Sequence, residues 1–133
     1  MRMTGNAQAV AVSRNVLFVL AAVDLIRAIM HTFFLNWAAL NVARIDPHPD
    51  ALMLLGVFGN SNFLTAGVFA LIAWKARDLA GYVLGIIPVA YGLGILGIRL
   101  NGVSMQSDFN GQYMMMVYFA VCIITFLYFI RRR

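Results

Sequence analysis

The sequence predicts an all-α fold, a four-helix transmembrane bundle, on three observations. First, the chain is 62% hydrophobic and only 11% charged, with a mean hydropathy of +0.83. A soluble domain carries roughly 25% charged residues, so this chain has too few charges to cover a water-facing surface. Second, four apolar runs each contain the roughly 20 residues that cross about 30 Å of hydrocarbon. Third, none of these runs alternates polar and apolar residues, as a strand of a membrane barrel would.

The four predicted spans cover about residues 15–37, 51–74, 79–100 and 113–130. We interpret residues 1–133 as a single integral membrane domain, since the length is that of one domain. Residues 1–13 are small and polar without periodicity, and we predict a flexible cytoplasmic tail or a short surface helix there.

Basic residues predict the orientation of the spans. One side of the predicted bundle holds only two basic residues, Arg44 and Arg99, together with Asp46, Asp50 and Asp108. Short loops with excess lysine and arginine stay in the cytoplasm, which predicts that both termini are inside. The predicted cytoplasmic side holds seven basic residues, namely Arg2, Arg14, Lys75, Arg77, Arg131, Arg132 and Arg133.

The net charge of +5 follows from the same rule, because these basic residues anchor cytoplasmic helix ends against anionic lipid. The sequence has no basic stripe interleaved with aromatic residues, which excludes a recognisable nucleic-acid-binding surface. We therefore expect the lipid bilayer as the main partner and no nucleic acid.

The connecting segments predict how the spans are joined. In the first outer loop, residues 38–50, Pro47 and Pro49 are expected to stop any helix. Asp46, His48 and Asp50 lie among these prolines with irregular spacing, so we predict a solvated loop and no metal site. The short turn from Lys75 to Asp78 predicts that the second and third helices are antiparallel neighbours.

The third run has its own backbone pattern. Gly81 and Gly85 form a small-xxx-small pair, and Pro88 is expected to kink the span. These features predict that the third helix is the most closely packed. Three further glycines follow along the run, at Gly92, Gly94 and Gly97.

Three ionisable residues lie within the first predicted span. Asp24, Arg27 and His31 follow one another at spacings of three and four, which places them on one helical face. An ionisable side chain in hydrocarbon is expensive, so it normally faces a protein interior or a water-filled cavity. His31 adds a group that titrates near neutral pH, which predicts a proton response. A structural alternative is that Asp24 and Arg27 pair within one helix.

Counting along the spans predicts which polar residues share a depth in the bilayer. Arg27 lies ~18 Å from the predicted cytoplasmic end at ~1.5 Å per residue, level with Ser61 and Asn62 on the second span. Asp24 and Thr65 share a level near ~14 Å.

The same count extends to the outer level and to the other two spans. His31 lies near ~24 Å, level with Phe58 and Gly59. Tyr91 on the third span and Tyr118 on the fourth both lie at ~18 Å. All four spans therefore offer polar atoms near the midplane of the bilayer.

These levels predict a polar pocket in an apolar bundle, which is the usual make-up of a ligand site. We predict that it binds or passes a small anionic or hydrogen-bonding amphiphile, such as a quinone, a lipid head group or an organic acid. Arg27 is the expected anion partner, Asp24 its orienting counter-charge and His31 the proton-responsive group. The candidate ligand-binding residues are Asp24, Arg27, His31, Ser61, Asn62, Thr65, Tyr91 and Tyr118.

Other functions stay open. Asn60 points away from the predicted cluster, which suits a contact between subunits of an oligomeric channel or transporter. A further alternative is an accessory subunit of a larger membrane complex, in which the polar network is purely structural. An intramembrane enzyme using His31 lacks a nucleophile or a metal-ligand set, so we favour a protein that is not an enzyme. The sequence identifies no cofactor.

In outline, the four apolar spans and the small size resemble those of small four-helix bacterial membrane proteins, the DoxX-like group among them. The resemblance implies a multi-pass protein of a bacterial inner or plasma membrane. It rests on no diagnostic motif and carries over no residue and no activity.

Overall fold

The computed structural model describes residues 5–104 and 110–133, and it confirms the predicted four-helix bundle. Four of its helices have the length and apolar composition needed to cross a membrane. Arg2 and Asp108, two of the charges used to predict orientation, lie outside the described residues. The four long helices are α1 (Gly5–Phe33), α2 (Pro49–Lys75), α3 (Ala80–Leu100) and α4 (Gly111–Arg132).

The first helix begins earlier than the sequence predicted. Helix α1 starts at Gly5, so residues 5–13 form its first turns rather than a tail. Ala9 and Ser13 are both fully buried. They extend the same buried face that continues through the rest of α1, and this packing accounts for a helix that is continuous with the first span rather than a tail or a separate surface helix.

Helix α1 is the central helix, because it packs against all three others. Its largest interface is with α2, whereas α2 and α3 touch only slightly. A short turn, Arg77–Leu79, joins α2 and α3 as the sequence predicted, but their direct contact is much smaller than that between α1 and α2. The physical reason is that small residues on α1 and α2 allow a closer approach than the bulky side chains elsewhere.

The α1–α2 seam follows a repeat of alternating three- and four-residue steps. On α1 the buried series includes Leu17, Ala21, Asp24, Ala28 and His31. A spacing that averages 3.5 residues keeps one face of a helix against its partner over several turns. The facing helix α2 contributes its own buried series, Gly59, Asn62, Ala66 and Ala73.

The glycine pair of α3 lies at a close contact, as predicted, but with aromatic rings rather than with a backbone. A Cβ atom on Gly81 would lie 2.4 Å from the Phe129 ring, and one on Gly85 would lie 2.7 Å from the Phe126 ring. The prediction that α3 is the most closely packed helix is wrong, because α1 buries eight residues and α3 only four. Among the described residues, and apart from the neighbouring backbone of α3 itself, no heavy atom lies within 4 Å of the position that a Cβ atom would take on three further glycines, namely Gly92, Gly94 and Gly97.

The outer connection begins where α1 ends at Phe33. A helical turn, Leu35–Trp37, leads into a π-helical segment, Ala38–Ala43. Pro49 then opens α2 at its first turn, where proline loses no hydrogen bond, and His48 Nδ1 accepts a hydrogen bond from the Asp50 backbone N–H at 3.4 Å. The expectation that Pro49 stops a helix is therefore reversed, since here the proline starts one.

The hydrophobic core lies in the half of the bundle near the basic helix ends. Leu17 and Leu84 are completely buried there, and Cys122 is completely buried beside them. On α3 the last buried residue is Ile87, directly before Pro88. The core cluster comprises Leu17, Leu20, Ala73, Ala80, Leu84, Ile87 and Cys122.

Candidate functional site

The centre of the candidate site is the carboxylate of Asp24, which is 4% exposed. Thr65 Oγ1 on α2 lies 3.2 Å from Asp24 Oδ2, and the Tyr118 hydroxyl on α4 donates to the same oxygen at 3.2 Å. Arg27 Nη1 donates to the other oxygen, Oδ1, at 3.4 Å. One carboxylate therefore joins three helices.

The Thr65 hydroxyl lies within hydrogen-bonding distance of two acceptor oxygens. Its hydroxyl oxygen lies 3.1 Å from the Asn62 carbonyl as well as 3.2 Å from Asp24 Oδ2. A hydroxyl carries a single hydrogen, so it donates to one of these two oxygens at a time. The Tyr118 hydroxyl and Arg27 hold Asp24 from two other directions, and so the carboxylate keeps its place in either case.

Arg27 is held by one ion pair and one ring. Its guanidinium carbon lies 5.2 Å from the centroid of the Phe58 ring, in addition to the 3.4 Å contact with Asp24. The side chain is 14% exposed. A guanidinium has five N–H donors in a fixed plane, so a single carboxylate contact leaves donors free to bind another acceptor.

Phe58 connects Arg27 to His31. The His31 and Phe58 rings lie 5.7 Å apart between centroids, so Arg27 and His31 of α1 flank one aromatic ring of α2. Sequence reasoning placed Phe58 at the depth of His31 but gave it no role. The signal for that role was available, since an aromatic ring beside an arginine at a similar depth is favourable for a cation–π contact.

Three buried polar atoms near this seam have no hydrogen-bond partner among the residues that the structure describes. They are His31 Nδ1, Thr32 Oγ1 and Asn62 Nδ2. The amide nitrogen of Asn62 is a donor, and the hydroxyl of Thr32 can donate as well. Leaving such a group unpaired costs about 1–3 kcal/mol, so buried polar atoms are usually satisfied by the protein, by water or by a ligand.

The backbones of α1 and α2 come closest beside these unpaired atoms. A Cβ atom on Gly59 would lie 2.5 Å from Thr32 Oγ1 and 2.9 Å from the His31 carbonyl carbon. Only a residue without a side chain fits at this contact. From the sequence, Gly59 was predicted only to lie level with His31, although its spacing to Asn62 and Ala66 indicates that the three share a face of α2.

The structure brings most, but not all, of the predicted site residues together. Asp24, Arg27, Thr65 and Tyr118 form one bonded group, and His31 adjoins it through Phe58. Asn62 is buried on the same seam, one turn from Phe58.

Two predicted site residues lie away from the bonded group. Tyr91 is half-buried and packs its ring against Phe119, with 5.2 Å between centroids, at the side of the core. Ser61 is exposed and donates to the Val57 carbonyl of its own helix at 3.2 Å, because it lies one residue, or about 100°, around the helix from Asn62. Ser61 therefore does not reach the cluster.

Hydrogen-bond donors and acceptors are distributed unevenly along the α1–α2 seam. Arg27, Asn62 and Thr32 present donors along one seam, while Asp24 already accepts from Tyr118 and Arg27. Within residues 5–104 and 110–133, no group of three or more metal-binding side chains comes together.

Comparison with protein-family models, with curated proteins and with solved structures finds no match to this chain. The outline resemblance to small bacterial membrane proteins therefore stays a prediction. The four apolar helices identify the chain as a small multi-pass membrane protein.

Proposed function

We propose that the α1–α2 seam binds a small amphiphile through a carboxylate or carbonyl oxygen, inside the membrane. The observation that carries the proposal is the donor set of Arg27, Thr32 and Asn62, which exceeds the acceptors that the protein offers it. We place the protein in a bacterial inner or plasma membrane, on the resemblance in outline alone.

Each residue of the cluster has a role in this proposal. Arg27 binds the oxygen of the ligand, since a guanidinium recognises a carboxylate through two parallel hydrogen bonds. Asp24 orients Arg27 from the opposite side and balances its charge. Tyr118 and Thr65 hold Asp24 in turn, and His31 responds to protons beside the ligand.

The apolar surroundings strengthen this recognition. A hydrogen bond in a medium of low dielectric constant is electrostatically stronger than the same bond in water. The contact of Arg27 with the Phe58 ring fixes the plane of the guanidinium without using its N–H groups. An oxygen that enters the seam therefore meets donors that are already oriented.

The test measures binding of two probes to purified protein in nanodiscs. Dodecanoate labelled with ¹³C at the carboxylate supplies an anionic oxygen, and a decyl-substituted benzoquinone supplies a neutral one. We expect Arg27→Gln to weaken dodecanoate binding by about tenfold or more, because a charge-assisted hydrogen bond contributes about 1.5–3 kcal/mol. Arg99→Gln, which removes an exposed cation from α3, is the matched control and should leave the affinity unchanged.

The competing function is a structural one, in which the hydrogen bonds on Asp24 only hold three helices together. It predicts that Arg27→Gln lowers the melting temperature while both titrations stay as in the wild type. That result, or the absence of binding by both probes, would overturn the proposed ligand site.

A second candidate function, an oligomeric channel or transporter, has one observation in its favour. The side chain of Asn60 is exposed on α2, whereas its neighbour Ser61 satisfies its hydroxyl on its own helix. An exposed amide in hydrocarbon favours a hydrogen bond to another helix. Asn60→Cys in a Cys122→Ser background should cross-link into dimers with a short bis-maleimide, and Leu54→Cys on another face of α2 should not.

A further inference from the structure

A second site lies at the end of the bundle that carries most of the basic residues. A cavity of about 690 Å³ opens there, lined by the first turns of α1, the turn before α3 and the C-terminal residue. We call it the arginine cavity because Arg14, Arg77 and Arg133 line it from these three parts of the chain. These residues are separate from the Asp24 cluster and have no part in the proposed function.

The charge of the arginine cavity is positive. Its lining holds three arginines and a single acidic residue, Asp78. Among the described residues, no ion pair joins Asp78 to any of these arginines. The three guanidinium charges therefore remain available to an anion that enters from outside the protein.

Two of the guanidinium groups are held in place by neutral partners. Arg14 donates through Nε and Nη2 to the Asn15 side-chain oxygen, at 3.2 and 2.9 Å. Arg133 donates to the Tyr82 hydroxyl, and its guanidinium carbon lies 4.9 Å from the centroid of the Tyr82 ring. Neutral partners orient these groups without cancelling their charge, and each guanidinium keeps further N–H donors.

One part of the cavity is apolar and lies on the same helix as Arg14. Ala7, Val10 and Ala11 of α1 line it. The volume falls within the range of pockets that hold small molecules and exceeds what a bare phosphate ion fills. Guanidinium groups next to a small apolar surface match a phosphoglycerol headgroup with the start of its hydrocarbon.

We propose that the arginine cavity binds one phosphate-bearing headgroup of an anionic phospholipid. Guanidinium groups match phosphate oxygens through paired hydrogen bonds. Basic pockets between transmembrane helices on the cytoplasmic side are suited to anionic headgroups. The positive-inside rule places this end of the bundle at the cytoplasmic leaflet, which brings the cavity level with those headgroups.

The experiment counts lipids retained by the full-length protein in native mass spectrometry. The probes are phosphatidylglycerol, phosphatidylcholine and inorganic phosphate. We expect the wild type to retain one phosphatidylglycerol per chain in preference to phosphatidylcholine. Arg14→Gln combined with Arg77→Gln should weaken this retention by about tenfold or more, since two charge-assisted contacts are lost.

Lys75→Gln is the matched control, because it removes one exposed positive charge two residues from Arg77 without lining the cavity. It should change retention by less than about threefold, as expected for a solvated charge. Arg77→Gln alone changes a side chain in the turn between helices, so it tests the site even if the double variant folds poorly.

Two results would overturn the proposal. Equal loss of lipid in Lys75→Gln and Arg77→Gln would mean general attraction between a basic surface and anionic lipid. Equal retention of phosphatidylcholine and phosphatidylglycerol would mean that no anion is selected. The inorganic phosphate probe distinguishes a lipid headgroup from a free phosphate ion as the ligand. Displacement of the lipid by inorganic phosphate would identify a free phosphate as the ligand instead of the lipid.

Discussion

Thr65 Oγ1 lies 3.2 Å from Asp24 Oδ2, although 41 residues separate the two in the sequence. The contact fixes the register of α1 against α2. In the same antiparallel register, Gly59 lies against His31 and Gly56 lies beside Leu35. The seam is therefore continuous from the midplane cluster to the outer end of α1. Four substitutions at contacts within the bundle test how its helices are held together.

Tyr118→Phe should destabilise the bundle by about 1–2 kcal/mol. The change removes only the hydroxyl that donates to Asp24 Oδ2, and a bond between membrane helices contributes about this much when its acceptor is charged. The measurement is the free energy of unfolding in mixed micelles. Tyr113→Phe, at an exposed ring near the outer end of α4, is the control, and equal stability of the two variants would contradict the bond.

Gly59→Ala should destabilise the α1–α2 seam by about 1–3 kcal/mol. The new methyl group would lie 2.5 Å from Thr32 Oγ1 and 2.9 Å from backbone atoms of His31, so the two helices must separate. Gly67→Ala on the same helix is the control, because in the described part of the chain no heavy atom beyond the helix's own backbone lies within 4 Å of its Cβ position. We expect Gly67→Ala to be neutral or slightly stabilising in the same unfolding assay, and a similar loss in both variants would argue against the close approach.

Gly81→Ala should also destabilise the protein by about 1–3 kcal/mol, for a different reason. Here the methyl group would contact a side chain rather than a backbone, namely the ring of Phe129. Phe129 is fully buried. A side chain can be shortened, so Phe129→Leu in the Gly81→Ala background should recover part of the loss. Additive effects of the two changes would show that the residues do not meet, and Gly92→Ala supplies the control on the same helix.

Asp24→Asn should destabilise the protein by about 3 kcal/mol, because it leaves the guanidinium of Arg27 without its counter-charge in a buried position. Adding Arg27→Gln removes the unpaired charge, so the double variant should be more stable than the sum of the single changes predicts. A coupling of about 1–3 kcal/mol in the double-mutant cycle is the expected result.

The exposed pair of His48 and Asp50 provides the comparison for that cycle. Their side chains lie 3.8 Å apart with most of their surface in solvent. Asp50→Asn should therefore change the unfolding free energy by no more than about 1 kcal/mol. If the Asp24–Arg27 cycle shows no measurable coupling, the two side chains do not stabilise each other in the fold.

The sequence by itself determined the four helices and the depth of the polar residues along them. Position along a helix is simple arithmetic at about 1.5 Å per residue, so the predicted levels of Asp24 with Thr65 and of His31 with Gly59 agree with the contacts. Composition was sufficient for the helices, because an apolar chain of this length can satisfy its backbone in lipid only as helix or closed barrel.

Only the tertiary structure decided which face each residue presents and which helices touch. Ser61 differs from Asn62 by a single residue, yet it lies on the exposed side of α2 and outside the cluster. The central position of α1, the contact at Gly59 and the meeting of Arg14, Arg77 and Arg133 likewise come from the packing of distant segments. The rotation of a helix about its axis depends on the side chains of its neighbours, and those neighbours are chosen by the fold as a whole.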